Sequence, residues 1–168
     1  MTRVLALTRY DDVGASSRVR FLQYIPHLER RGLSIDVQPL LSNESLARLY
    51  RDGKRSARDL LGALGKRVGA LLAASRADVI WLQQEVFPFL PAAIEALLLR
   101  GRPYVVDFDD AYQLYYQNHS AALARGLFGG KVAAVMRRAR TVVVGSPVMA
   151  AVAREAGAAD VRLVHSAV

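Results

Sequence analysis

The sequence contains no cysteine among its 168 residues. Disulfide bonds and thiolate metal sites are therefore excluded, and the composition is compatible with a reducing compartment. No apolar run approaches the roughly 18 residues that a membrane-spanning helix needs. The N-terminus also lacks the basic-then-apolar pattern of a secretion signal. These absences predict a cytoplasmic protein.

The chain also lacks the short motifs that identify a function directly. The loop after the first predicted strand has a single glycine, Gly14, instead of the glycine series of the dinucleotide fingerprint. No nucleophile is recognisable together with its base. His27, His119 and His165 have no ligand-like spacing, so no metal site is predicted.

Positive charge is the one unusual feature of the composition. The formal net charge is +8 and the isoelectric point is near 10.3, which indicates an anionic partner such as nucleic acid, an anionic membrane or a phosphorylated small molecule. No nucleic-acid-binding motif accompanies the charge, so nucleic acid is not predicted as a partner.

A basic segment spans residues 48 to 67, with Asp52 and Asp59 as its acids. Its basic residues are Arg48, Arg51, Lys54, Arg55, Arg58, Lys66 and Arg67. A basic helix with an apolar stripe could lie on anionic lipid, and the protein would then be peripheral at the inner face of the membrane. The alternative is a core-facing helix whose basic side is solvated.

Strand-length apolar runs alternate with helical patterns along the whole chain. This alternation predicts an α/β fold: one Rossmann-like, doubly wound domain over residues 1–168, with a mainly parallel sheet of about six strands and helices on both faces. The predicted strands are residues 3–8, 33–40, 78–83, 103–107, 141–145 and 161–164. Residues 111–120 are predicted to form a polar loop, followed by helix to residue 139 with a break near Gly129 and Gly130.

Three carboxylates follow the fourth predicted strand, where a parallel sheet has its ligand-binding edge. Asp107, Asp109 and Asp110 could act as acid and base, hold sugar hydroxyls or bind a metal. Alternatively, Asp107 orients neighbouring loops through backbone amides and Asp110 caps a helix. Their clustering at the carboxyl end of a strand favours a functional role.

Two glycine-containing turns are predicted at the same edge. Gly14 to Ser17 precede a helix, whose N-terminal amides and dipole favour an anion such as phosphate. Gly145 and Ser146 form a similar junction after the fifth strand. In both cases the alternative is structural: glycine turns the chain, and Ser16, Ser17 or Ser146 caps the helix.

Taken together, these landmarks resemble the N-terminal domain of the group 1, or family 4, glycosyltransferases, which have the GT-B fold. The resemblance lies in the order and spacing of segments along the whole chain. The segments are GASSRVR at 14–20, QYIPHL at 23–28, VDFDDA at 106–111, GGK at 129–131, RRA at 137–139, VVGSP at 143–147 and VHSAV at 164–168. Members of the family commonly have Gly-Asn where this chain has Gly145 and Ser146.

The resemblance implies two Rossmann-like domains facing each other across a cleft, of which this chain is the acceptor-side domain. The resemblance implies that the second domain, which binds the nucleotide-sugar donor in the family, is absent from this chain, so the fragment alone is predicted to be inactive. The donor is then a substrate, and no tightly bound cofactor is implied. The acceptor would be a glycan, a lipid-linked molecule or a small molecule, and the transfer is expected to proceed with retention.

The resemblance also assigns roles to the candidate residues. Gly14, Ala15, Ser16 and Arg18 would contact the donor diphosphate, together with Gly145 and Ser146. The catalytic residues would be Asp107, Asp109 and Asp110, facing the cleft near the transferred sugar. The alternative function is a non-catalytic, flavodoxin-like module that binds a phosphorylated ligand or a protein partner.

Overall fold

The computed structural model describes residues 1–53, 57–73, 77–99 and 101–166; the side chains of residues 57, 58 and 60 are not among those described. Contacts between Cα atoms divide the chain into two compact units, Met1–Val79 and Ile80–Val168. Both units are built from parallel strands and the helices that connect them.

The first unit pairs two parallel strands. The elements are β1 (Thr2–Leu7), α1 (Ala15–Arg20), a 3-10 turn (Leu22–Tyr24), α2 (Ile25–Glu29), β2 (Leu33–Val37), α3 (Asn43–Asp52) and α4 (Ala57–Ala73). The register aligns Thr2 with Leu33 and Ala6 with Val37. The last four residues of β1 are buried, whereas β2 alternates between half-buried and exposed residues. The alternation in the sequence of β2 therefore predicted its partial exposure correctly.

The helical segment between β1 and β2 is broken into short pieces. Helix α1 ends at Arg20, and the backbone of the next residue, Phe21, is non-helical at φ −127°. Pro26 lies in the first turn of α2, where its missing N–H leaves no hydrogen bond unmade. The interruption of the helical segment, at Phe21 and the 3-10 turn, lies just upstream of Pro26.

The second unit carries four parallel strands in the order β3-β4-β5-β6. Its elements are β3 (Val79–Gln83), α5 (Ala92–Leu99), β4 (Tyr104–Phe108), α6 (Gln113–Gln117), α7 (Ala122–Phe128), α8 (Lys131–Arg138), β5 (Thr141–Val144), α9 (Pro147–Glu155) and β6 (Val161–Leu163). The register aligns Val106 of β4 with Val142 of β5, and Val142 with Val161 of β6. Side chains from the strand centres, such as Ile80 and Val106, are fully buried.

The predicted fold class is confirmed: the chain is α/β and Rossmann-like, with a six-stranded, all-parallel sheet flanked by helices. The predicted break near Gly129 and Gly130 is also confirmed, because α7 ends at Phe128 and α8 begins at Lys131. Among the described residues, no helix has the length and apolar character that crossing a membrane would require.

The loop predicted at residues 111–120 is wrong in part, because α6 occupies its centre. Tyr116 is fully buried and its ring meets Phe89 and Phe128 at centroid distances of 5.6 and 5.7 Å. This aromatic packing supplies the stabilisation that the local sequence, with its scattered polar residues, does not indicate.

Candidate functional site

The three predicted carboxylates at the end of β4 occupy different environments. Asp107 belongs to the strand, pairs in register with Val143 of β5, and is 3% exposed. Asp109 is half-buried and Asp110 is exposed. A ligand at the carboxyl edge of the sheet could therefore touch Asp109 and Asp110 directly, whereas Asp107 lies beneath that surface.

Asp109 lies directly against Gly145, which follows β5. A Cβ atom added at Gly145 would lie 3.3 Å from the carbonyl oxygen of Asp109 and 3.5 Å from its Cα. The Gly145 amide donates to the carbonyl oxygen of Phe108 at 3.1 Å. The Ser146 hydroxyl accepts from the Met149 amide at 3.3 Å and caps α9. The structure thus brings Asp109 and Gly145 together, and these contacts fit the structural alternative of a tight, capped turn.

Gln84 directly follows β3 and lies beside Asp107 and Asp109 at the same edge of the sheet. Its amide donates to the carbonyl oxygen of Asp107 at 3.0 Å, and its Nε2 lies 3.3 Å from Oδ1 of Asp109. Gln84 is 7% exposed and has a left-handed backbone, with φ at 62°. A non-glycine residue rarely adopts this conformation, and such residues are concentrated at functional sites.

A buried ionic cluster lies beside Gln84. Lys131, the first residue of α8, places its Nζ 2.6 Å from Oε2 of Glu85 and 2.9 Å from Oε1 of Glu95. The Lys131 ammonium also donates to the carbonyl oxygen of Phe87. Glu95 Oε1 accepts from the Phe87 amide at 2.9 Å. These contacts fix the segment between β3 and α5 to the start of α8.

Two carboxylates share one ammonium in this cluster, which leaves one formal negative charge. Glu95 is 1% exposed, and its Oε2 has no hydrogen-bond partner among the described residues. Burial raises the pKa of Glu95, and the nearby Lys131 ammonium opposes that shift.

Two tyrosines of the region after β4 complete the cluster. Tyr116 donates to the carboxylate of Glu85, with its hydroxyl 2.8 Å from Oε2, and Tyr112 donates to the same carboxylate. The Tyr116 hydroxyl also accepts from the Phe89 amide at 3.1 Å. Burial and the adjacent Glu85 carboxylate raise the pKa of Tyr116 above its ordinary value. Tyr112 and Tyr115 stack with an interplanar angle of 11°.

Gln84 and the ionic cluster were not among the predicted site residues. A signal was present in the sequence, since Gln83, Gln84 and Glu85 directly follow an apolar strand. All three side chains are at most 7% exposed. Buried polar residues are normally hydrogen-bonded, so a polar run that continues a buried strand predicts a network.

The alternative role proposed for Asp110 is wrong. The residue before α6 is Tyr112, and no side chain caps that helix. Asp110 instead contributes its backbone carbonyl, which accepts from the Tyr112 amide at 2.7 Å. The carboxylate of Asp110 is therefore not used as a helix cap.

The Gly14 loop lies in the first unit. Gly14 is buried, and an added Cβ atom would lie 2.8 Å from Cγ of Tyr10. The Gly14 amide donates to the carbonyl oxygen of Asp11 at 3.0 Å. Arg18 is exposed and donates to a backbone carbonyl of the same loop at 3.2 Å. Packing against Tyr10 thus accounts for the glycine.

The predicted cap of the first helix is wrong. Gly14 occupies the N-cap position of α1 and no side chain caps the helix. Ser17 lies inside the helix and is buried, where its hydroxyl accepts from the Tyr10 amide at 3.0 Å. Ala15 and Ser16 are the first two residues of this six-residue helix.

The basic segment is neutralised in part by its own acids. Arg48 forms an ion pair with Asp59 at 3.1 Å, and Arg51 pairs with Asp52 at 3.0 Å. Arg67 is 2% exposed and donates to a backbone carbonyl of the first unit. These contacts favour the core-facing interpretation of the segment. Lys54, Arg55 and the side chain of Arg58 lie outside the described residues, as do residues 56, 74, 75, 167 and 168.

The described residues contain no group of three or more His, Asp or Glu side chains that could hold a metal ion. His119 packs on the ring of Phe89 at a centroid distance of 5.9 Å. Comparison with protein-family models and with curated proteins gives no match to this chain.

Proposed function

We propose that the chain is the acceptor-side domain of a nucleotide-sugar-dependent glycosyltransferase that transfers a sugar, with retention, to a glycan, lipid-linked or small-molecule acceptor. The observation that carries the proposal is the placement of Asp109. Its carboxylate is half-buried at the carboxyl end of β4, held by Gln84 and packed against Gly145. The order of the sequence segments along the chain supports the same family.

Asp109 is suited to bind sugar hydroxyls. An ionised carboxylate accepts hydrogen bonds and donates none, and the hydroxyls of a sugar are donors. The contact with Gln84 restricts the side chain to one orientation, while half-burial leaves it open to a ligand. Catalysis by such a group is positional and electrostatic.

Asp107 and Asp110 have supporting roles in this proposal. Asp107 is buried in β4, and its carbonyl oxygen holds the Gln84 amide at 3.0 Å. It therefore positions the two residues that face the ligand. Asp110 is exposed beside Asp109 and extends the acidic surface toward the acceptor.

The donor diphosphate would be contacted from the Gly14 loop. Ala15 and Arg18 are exposed there, and the Arg18 guanidinium supplies positive charge at the start of α1. Gly145 and Ser146 receive a different role from the one first predicted. The Gly145 amide donates to the Phe108 carbonyl oxygen, and the Ser146 oxygen accepts from the Met149 amide, so both residues shape the turn beside Asp109.

A phosphate-binding module is the second candidate function. The residues at the carboxyl edge of the second unit fit it less well than they fit a glycosyltransferase domain. Two carboxylates, Asp109 and Asp110, lie at the turn after β4, and like charges repel a phosphate. The Ser146 oxygen accepts from the Met149 amide as the cap of α9, and its O–H is still a donor, so Ser146 does not distinguish a phosphate from a sugar. The same carboxylates suit the hydroxyls of a sugar.

The proposal is tested with the complete protein that contains this chain. It is incubated with a panel of nucleotide sugars and with glycan and lipid acceptors, and release of the nucleoside diphosphate is followed. Asp109→Asn should lower kcat by about 100-fold or more, because it removes an oriented charge that is preorganised for the reaction.

The matched control is Asp36→Asn, which removes an exposed carboxylate from β2. Its kcat should stay within about twofold of the natural protein, since surface substitutions change little. Retention of full activity by Asp109→Asn would contradict the proposal, as would the absence of transfer from every nucleotide sugar.

A further inference from the structure

A cavity of about 700 Å³ lies in the second unit at the edge of the sheet opposite Asp109. Its rim includes Tyr104 and Thr141, the first residues of β4 and β5, and Asp160, which immediately precedes β6. β4 has five residues, so at about 3.3 Å per residue the cavity lies roughly 13 Å from the carboxyl edge. The cavity is thus separate from the candidate site.

The part of the lining that α5 and α8 contribute, here called the floor, is apolar except for Glu95. Small and aliphatic side chains line it: Ala92, Ala96 and Leu99 from α5, and Ala134 and Val135 from α8. The Tyr104 hydroxyl, which could otherwise offer a polar contact, donates to the carbonyl oxygen of Val135 at 2.5 Å. The floor therefore suits an apolar group.

The cavity also has a basic part, here called its mouth, which consists of three arginines. Arg102, Arg138 and Arg140 all line it. Arg138 and Arg140 are exposed, and neither has a carboxylate partner among the described residues. Guanidinium groups bind carboxylate and phosphate through two parallel hydrogen bonds.

Two acids, Glu95 and Asp160, also line the cavity, and Glu95 shares its basic partner, Lys131, with Glu85. Glu95 pairs with Lys131 at 2.9 Å, and Asp160 pairs with Arg162 at 2.9 Å. Neither Lys131 nor Arg162 lines the cavity. The three arginines of the lining outnumber its two acids, so the formal charge that faces a ligand is positive.

We propose that this cavity binds an organic anion, with its carboxylate or phosphate group at Arg138 and Arg140 and its apolar part on the floor between α5 and α8. The combination of an apolar floor and a basic mouth selects against both uncharged apolar molecules and small inorganic anions. The site does not depend on the glycosyltransferase proposal, since it involves none of the residues assigned to sugar transfer.

Binding is measured with the full chain and the fluorescent anion 8-anilinonaphthalene-1-sulfonate as the probe, at a temperature where the fold is intact by circular dichroism. Octanoate and octyl phosphate should displace the probe, and their relative potency identifies the preferred head group. Octanol and inorganic phosphate should each displace it at least about tenfold more weakly, because each lacks one half of the ligand.

Two variants locate the site, and one matched variant serves as the control. Replacing both Arg138 and Arg140 by Gln should weaken probe binding about tenfold or more, because two charge-assisted contacts are lost. Ala96→Phe should weaken it by filling the floor while the arginines remain. Arg137→Gln should leave binding unchanged, since Arg137 packs against Gly157 and does not line the cavity.

Three results would overturn the proposal. The first is unsaturable probe binding, or none, by the folded chain. The second is equal loss of binding in Arg137→Gln and in the Arg138 and Arg140 double variant, which would indicate a general surface effect. The third is displacement by inorganic phosphate as potent as that by octyl phosphate, because the apolar floor would then have no part in recognition.

Discussion

The ammonium group of Lys131 lies 2.6 Å from the carboxylate of Glu85, and both side chains are at least 96% buried. Glu85 directly follows Gln84, whose side chain holds Asp109. The ion pair thus joins the start of α8 to the segment that orients the candidate catalytic carboxylate. Its contribution can be measured separately from function, through the stability of the fold.

Lys131→Met should destabilise the protein by about 3–5 kcal/mol, because removing one partner leaves buried charge uncompensated. Two carboxylates, Glu85 and Glu95, would lose their shared ammonium. Urea unfolding gives the free energy of unfolding. The control is Lys66→Met, at an exposed position of α4, which should change that free energy by no more than about 0.5 kcal/mol. Equal stability of the two variants would refute a structural role for the cluster.

In contrast to Lys131→Met, Glu95→Gln should not lower the free energy of unfolding near neutral pH. The amide oxygen can still accept from the Phe87 amide, and Lys131 keeps Glu85 as its partner. The variant also removes the cost of burying a carboxylate, whose pKa is raised chiefly by desolvation. Its free energy of unfolding at neutral pH should therefore equal or exceed that of the natural protein.

The pH dependence of the two proteins should differ in a definite direction. A carboxyl group with a raised pKa in the folded state favours folding when it is protonated. That contribution is lost as pH rises from the ordinary pKa of glutamate through the raised pKa of Glu95. Urea unfolding from about pH 4 to about pH 8 should show the natural protein losing stability relative to Glu95→Gln. A difference that is constant, or of the reverse sign, would contradict the raised pKa.

The sequence predicted the strands well because each is a short apolar run bounded by turn residues. β5, with four β-branched residues, is the clearest example, and its predicted start at Thr141 is confirmed. Ser146 and Pro147 likewise predicted the start of α9. These features depend on residues that are neighbours in the sequence, so the local sequence pattern is sufficient to predict them.

Features that depend on distant residues could not be predicted in this way. Helix α6 is stabilised by the packing of Tyr116 on Phe89 and Phe128, which lie in other segments. Lys131 lies in the GGK segment at 129–131, but nothing in its own sequence neighbourhood indicates that it meets Glu85 and Glu95. The contact of Asp109 with Gly145 could be predicted only in part. The sequence places both residues at the same edge of the sheet, but it does not predict that they touch.

Gly14→Ala is expected to destabilise the protein by about 1–3 kcal/mol, the usual cost of overpacking a filled site. The added Cβ would overlap Tyr10, with Cγ of that ring only 2.8 Å away. The backbone of Gly14, at φ −72° and ψ 113°, is open to alanine, so the cost is steric. Thermal or urea unfolding of the variant measures it.

Gly65→Ala provides the matched comparison for Gly14→Ala. Gly65 lies inside α4, and an added Cβ would meet no atom within 4 Å. Alanine is favoured over glycine in a helix interior by about 1 kcal/mol, so this variant should be more stable than the natural protein. The two substitutions add the same methyl group and should shift the free energy of unfolding in opposite directions. If Gly14→Ala were neutral, the contact with Tyr10 would not account for the glycine, and a role of Gly14 in ligand binding would become the better explanation.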